Sequence, residues 1–492
     1  MESRRVPYRK FSQYVRKFDP TLLLEKIAQV SAELERAQFG RGPARWPDDG
    51  SVHQFSLAFV ARTTILDGDN RRKRRSEKPV TDTELHFLCA QSIEVDHSDV
   101  PERGLLDDST ITRMLARLIY QQGLFGYSNF ENISRTLGLL VDHDPDVRGL
   151  PTQQDWKNKL GVSLPAYTAI IFHLAVAANS GNGWITKEAV QAGVDAGAYA
   201  GADLNTVLTI VRNELSTDLR DARSLGIDQQ LAGTEMWSFN PLTAKPLISY
   251  GDRYLLPIHD YLIQKMTPHG LYFTGIEHFG NDFPRALGDS FEKYVGRNLA
   301  LLEAAGAKVY PEVTYGKDNR QTVDYLIVLD EVVLLVEVKG MRANAPAKAG
   351  VEAGLEQLVG KIQHARNQID KTAKLIEDKI PELDFIPADR EIRGIVVTME
   401  PIHQIDTVFY EDMFNDNTIV SATASAHDLE RVLPTLATAN NPGIRLLEAL
   451  TFNDPTPPSL DRAIEGLAPV RNPVLDQLWD GWEDQLPNRS QP

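Results

Sequence analysis

Apolar residues recur at helical spacing through much of the first half of the chain. Leu204, Val207, Leu208, Val211 and Leu215 form one such stripe and predict an amphipathic helix. Residues 164–178 are almost wholly apolar, yet contain Pro165 and His173 and fall short of the roughly 20 residues that a membrane-spanning helix needs, so they predict a buried helix. Polar segments at 43–50 and 142–154 predict loops. Residues 184–211 carry a weak helix-turn-helix pattern, blurred by glycines and alanines. The run PLISYGDRYLLPI, residues 246–258, sets Gly251 and Asp252 between two β-rich stretches and predicts a hairpin.

From Gly288 onward the pattern becomes α/β. It predicts a helix over 289–304, strands over 307–315, 322–329 and 332–339, a long helix over 351–378, a strand over 392–398, a further strand near 418–423 and a helix over 427–433. No internal repeat is present. The chain divides into a mainly helical recognition or interaction region at 1–235, a hairpin-containing connector at 236–284, an α/β domain at 285–440 and a Pro-rich, acidic extension at 441–492. In that extension a helix-like patch around Trp479 and Trp482 is expected to pack on the body or on a partner.

Composition narrows the picture. At 492 residues the chain exceeds what one core usually holds, and 42% hydrophobic with 24% charged residues is the balance of a folded globular protein. A lone cysteine, Cys89, excludes an intramolecular disulfide and a thiolate metal site, and the N-terminus has no apolar stretch behind its charges, so a cytoplasmic location is expected. A formal charge of -16 argues against bulk electrostatic coating of nucleic acid, which places any contact with phosphate in local patches. The densest basic cluster is Arg71, Arg72, Lys73, Arg74 and Arg75, a candidate phosphate-gripping loop or simply a solvated one.

Within VVLLVEVKG, Glu337 and Lys339 share one strand face because successive side chains alternate. A hairpin through Asp330 and Glu331 pairs Asp324 directly with Glu337, bringing two carboxylates together on strands whose near-continuous apolar character predicts cover on both faces. Like charges so placed are destabilising unless something binds them, and a hard divalent cation is the natural candidate, with a nearby lysine to hold the attacking water. The plainer alternative is a pair of polar positions on a solvent face of a one-sided hairpin.

Asp324, followed after a twelve-residue gap by Glu337-Val338-Lys339, resembles the D...(D/E)xK signature of the restriction-endonuclease-like, or PD-(D/E)xK, nuclease superfamily. The predicted αβββαβ order over roughly 285–435 is similar to that family's common core. Val323 stands where the family often has proline. The resemblance implies a Mg²⁺ or Mn²⁺ site on Asp324, Glu337 and the Val338 carbonyl, with Lys339 positioning water. It also implies a supporting glutamate at Glu292 and a supporting glutamine at Gln357, on a polar stripe with Lys361, His364 and Gln368. Asp289 and Glu292 read equally as a helix cap. Lys361 is a candidate phosphate contact. The implied activity is metal-dependent hydrolysis of phosphodiester bonds, DNA first. Restriction, defence against foreign DNA and repair are all settings of the family. The large helical region favours a defence effector, with a second copy of the chain or a defence-system protein as candidate partner. The alternative of another class is a catalytically silent nucleic-acid-binding or assembly module on the same fold. Residues 354–361 mimic a phosphate-binding loop but have the wrong glycine spacing, and no HExxH, CxxC or GxSxG occurs.

Overall fold

A computed structural model describes residues 6–38, 50–68, 78–95, 108–122, 129–230, 237–402, 405–452 and 456–483. Its architecture is mixed α/β, with helices dominating the first half and a five-stranded sheet in the second. The basic cluster Arg71 to Arg75 lies outside the described residues. No single helix among the described residues is long and apolar enough to cross a membrane.

The helical half also holds a small sheet. β1 (Trp184–Thr186), β2 (Ser216–Thr217), β3 (Leu247–Tyr250) and β4 (Arg253–Leu255) assemble in the order β1-β4-β3-β2. The hairpin expected at 246–258 is β3 and β4, turned by Gly251 at φ 69°, a left-handed conformation that glycine adopts without strain. β1 and β2 have only two or three residues each, too few to show a period. The helices Lys187–Asp195 and Leu204–Ile210 follow β1, but residues 196–203 between them are longer than the 3–4-residue turn of a helix-turn-helix.

In the larger sheet, β5 (Lys308–Pro311), β8 (Tyr325–Val328), β9 (Val332–Lys339), β10 (Glu391–Thr398) and β11 (Ser421–Ser425) lie in the order β11-β10-β9-β8-β5. β8 runs antiparallel to both β5 and β9, whereas β9, β10 and β11 are mutually parallel. The single strand predicted over 307–315 is broken: β5 stops at Pro311, which has no N–H for a ladder, and β6 (Thr314–Tyr315) pairs instead with β7 (Arg320–Gln321) as a separate ribbon. The strand predicted from 322 begins at Tyr325 because residues 313–323 are tied by side chains. Val313 N–H donates to Thr322 Oγ1 (2.9 Å), and Val323 N–H donates to Thr372 Oγ1 (3.1 Å).

The hairpin register is the one expected, with Tyr325 opposite Val336 and Leu326 opposite Leu335. Both faces of β8 and β9 are covered, which explains their continuous apolar run. Ile327, Val332, Leu334 and Val336 join a large core shared with the helices Leu164–Ser180 and Phe283–Leu299. Leu326, Val333 and Leu335 join another beneath the helix Glu352–Glu377. The helix expected to begin at 289 starts at Phe283, with Pro284 in its first turn, so Asp289 and Glu292 lie inside it and form no cap.

Buried polar contacts help to tie the halves together. Arg135 donates through Nε to Glu430 Oε1 at 2.7 Å, fully buried, and Tyr294 Oη donates to the same oxygen at 2.6 Å. The C-terminal helix Pro473–Glu483 packs back on the body, where buried Trp482 donates its indole N–H to Thr168 Oγ1 at 3.1 Å.

Candidate active site

Asp324 is the last residue before β8, so extending the ladder by one position sets it across from Glu337. Because β8 has not yet begun, the Val338 N–H has no backbone acceptor there and donates to Asp324 Oδ2 at 2.6 Å. Glu337 and Lys339 project from β9 on the same face as Val333 and Leu335, toward the helix Glu352–Glu377. Lys339 forms an ion pair with Glu337 and also donates to Gln368 Oε1 at 2.9 Å. Glu337 is only 2% exposed, and its second oxygen, Oε2, is buried with no hydrogen-bond partner among the described residues.

Burial dominates the electrostatics. It pushes the Asp324 carboxyl well above the usual carboxylate range; the neighbouring Glu337 adds to the shift, and the Val338 N–H opposes it. Burial also raises Glu337, against the pull of Lys339 and His364. Glu292 approaches from the helix Phe283–Leu299 and contributes repulsion to Asp324, while its own carboxylate pairs with Lys293 Nζ at 3.0 Å. Glu312, between β5 and β6, is raised by burial and by Glu292. The Glu292 carbonyl accepts from Tyr325 Oη at 3.1 Å, and Gly296, one turn on, leaves room for that ring. A side chain at 296 would collide with it and push the helix off the sheet.

The structure brings Asp324, Glu337, Val338 and Lys339 together, with Glu292 at the margin. Gln357 lies elsewhere: it accepts from Asn344 Nδ2 at 2.8 Å. The glutamine that reaches Lys339 is Gln368, roughly 16 Å further along the helix axis. Residues 340–351 loop outward through a short helix, Ala345–Lys348, before the long helix begins, which carries its first turn away from the carboxylates. Gln368 and His364 lie on the polar stripe legible in the sequence; the spacing gave no means of ranking its members. Lys361 is exposed on the same stripe. Among the described residues no group of three or more His, Cys, Asp or Glu side chains is arranged to hold a metal ion, so the acidic constellation consists of the two apposed carboxylates with Glu292 further off.

No protein-family model matches the chain, and neither a curated protein nor a solved structure is matched.

Proposed function

We propose that the protein is a Mg²⁺- or Mn²⁺-dependent nuclease of the PD-(D/E)xK type, hydrolysing phosphodiester bonds of nucleic acid, with DNA as the first substrate to test. The observation that carries this reading is the apposition of Asp324 and Glu337 on one sheet face with Lys339 paired to Glu337. The order helix, three strands, helix, strand supports a restriction-endonuclease-like core for residues 285–440.

The residues fit a hard cation. Two carboxylates face each other, Glu337 buried and Asp324 half-buried, both held above their usual range, and Glu337 Oε2 has no donor among the described residues. Asp324 and Glu337 would hold the ion, which when bound supplies an acidified water and neutralises charge at the scissile phosphate. The protein's own groups then have defined tasks. Val338 N–H fixes Asp324 in its rotamer, leaving Oδ1 free of that bond. Lys339 keeps an ammonium beside Glu337, where it orients a water and meets the negative charge that develops on phosphate oxygen. Gln368 fixes the lysine's position. Apolar packing beneath the long helix lowers the local dielectric and strengthens each of these interactions.

The test is cleavage of supercoiled, linear and single-stranded DNA by wild type and by Asp324→Asn, Glu337→Gln and Lys339→Met proteins. Wild type should cut in Mg²⁺ and stop in EDTA, and each variant should cut at least ~10²-fold more slowly while remaining folded. Turnover by Lys339→Met at the wild-type rate, or undiminished cutting in chelator, would defeat the proposal.

A further inference from the structure

Beside the end of β9 lies a cavity of about 760 Å³, within the ~300–1,000 Å³ range of small-molecule sites. Its walls come from distant parts of the chain: the helix Gln54–Asp67, residues 237–245, the helices His259–Gln264 and Pro268–Phe279, and residues 340–345 leaving β9. No local motif announces it.

Its charge is opposite to that of the whole molecule. Among the described residues Arg62, Lys245, Lys265, Arg342, Lys348 and Lys361 line it, against one carboxylate, Glu277, in a chain of net charge -16. Two of these cations are held from behind by Glu400, which lies 3.3 Å from Arg342 Nε and 3.6 Å from Lys348 Nζ. Lys265 is not neutralised in this way. It is 8% exposed, donates to the Ala244 carbonyl at 3.3 Å, and among the described residues has no salt-bridge partner. Burial, with Lys245 adding repulsion, lowers its pKa to about 8 against the pull of Glu214 and Glu277.

Aromatic rings also line it. Phe55 and Trp237 stack with ring centroids 6.1 Å apart and planes 12° apart. Tyr272 lies under the Arg342 guanidinium at 3.7 Å, and Phe273 is 56% exposed, an apolar ring with one face uncovered. Flat apolar walls suit a planar ring, and several cations exceed what a single carboxylate would neutralise.

We propose that this cavity binds a nucleoside phosphate, its base against the aromatic wall and its phosphate on Lys265 and the neighbouring lysines. The ligand is either a free nucleotide or the end of a nucleic-acid strand. The inference stands apart from the nuclease reading, because the cavity uses none of Asp324, Glu337 and Lys339. Its position gives occupancy a route to that site, since Gly340, Met341 and Arg342 of the lining follow Lys339 directly.

The experiment is calorimetric titration of the full chain, in EDTA, with the 5′-mono- and triphosphates of adenosine and guanosine, the two nucleosides, and a 5′-phosphorylated tetranucleotide. At least one phosphorylated probe should bind with a Kd of about 100 μM or tighter, and the nucleosides at least ~10-fold more weakly. Mononucleotide binding assigns a free nucleotide; binding of the tetranucleotide alone assigns a strand end. Lys265→Met replaces a buried ammonium by an apolar side chain of similar length, and Phe273→Ala removes a largely exposed ring, so both should keep the wild-type melting temperature to within a few degrees. Each should weaken the probe by roughly tenfold. Asp324→Asn should bind like wild type, which separates failure here from failure of the nuclease reading. No binding of any phosphorylated probe at ~1 mM, or unchanged affinity in either cavity variant, overturns the inference.

Discussion

Glu337 brings together burial, a like charge opposite, a lysine on one oxygen and nothing on the other. Such a residue lowers the stability of the fold in which it sits. Its pKa and that of Asp324 are raised on folding, so the stability linked to them is fully present below the ordinary carboxylate range, near pH 4, and is lost as pH climbs. Asp324→Asn or Glu337→Gln should therefore raise the melting temperature in metal-free buffer by a few degrees, with a gain that grows from pH 4 to pH 8. Scanning calorimetry in EDTA checks this; an Asn or Gln variant that melts earlier than wild type at pH 8 contradicts the electrostatic account. Mg²⁺ should stabilise the wild type and leave the double variant unmoved, because only a state that binds the ligand is stabilised by it. Among the polar side chains of the long helix, Gln368→Ala should slow cleavage by about tenfold through a less fixed Lys339, and Gln357→Ala should not, since Gln357 bonds to Asn344 and not to Lys339. Asp324, Glu337 and Lys339 were legible in the sequence because a two-residue period and a hairpin register are short-range quantities. The choice between Gln357 and Gln368 was not, because it depends on how residues 340–351 leave the sheet.

At the scale of elements, the long apolar segments were readable and the interrupted ones were not. β9, β10 and the helix Glu352–Glu377 carry unbroken periods and end within a residue or so of where the pattern ends. β5 and β8 are cut short by Pro311 and by the hydroxyls of Thr322 and Thr372, interactions invisible to a periodicity. The helices Ala426–Leu436 and Asn129–Leu140 are joined by the buried ion pair of Arg135 with Glu430, reinforced by Tyr294, and by His427 with Glu131 at 3.2 Å. Both side chains are buried, so removing one leaves the other without its main partner. Glu430→Ala should lower stability by ~3–5 kcal/mol, measured by urea unfolding, whereas Arg135→Met combined with Glu430→Leu should recover most of it. A single variant that costs less than about 1 kcal/mol would place the attachment of these helices in the surrounding apolar contacts instead.

At the scale of the whole molecule, the boundaries at 285 and 440 that the sequence draws run through shared cores. Ile133, Trp156, Tyr167 and Leu174 from the helical half form one cluster with Phe291, Leu334 and Val336 of the α/β half, and Trp482 of the C-terminal extension closes it. Ala116 and Tyr120 contribute to the cluster on the sheet's other face. Cross-region packing of this kind leaves no local trace in a sequence, because each residue involved reads only as buried. The segment 285–440 therefore contains the proposed catalytic residues without part of the apolar surface that packs on its sheet and helices. Exposing that much apolar area, together with an unpaired buried Glu430, removes more stabilisation than the few kcal/mol by which a native domain exceeds its unfolded state. Expressed alone, residues 285–440 should aggregate or bind hydrophobic dye with no cooperative melting transition, while the full chain should melt cooperatively. Circular dichroism and calorimetry on the two proteins decide the matter. A cooperatively folding 285–440 fragment that cleaves DNA would show that the helical half serves recognition alone and that the shared core contributes little to the sheet it covers.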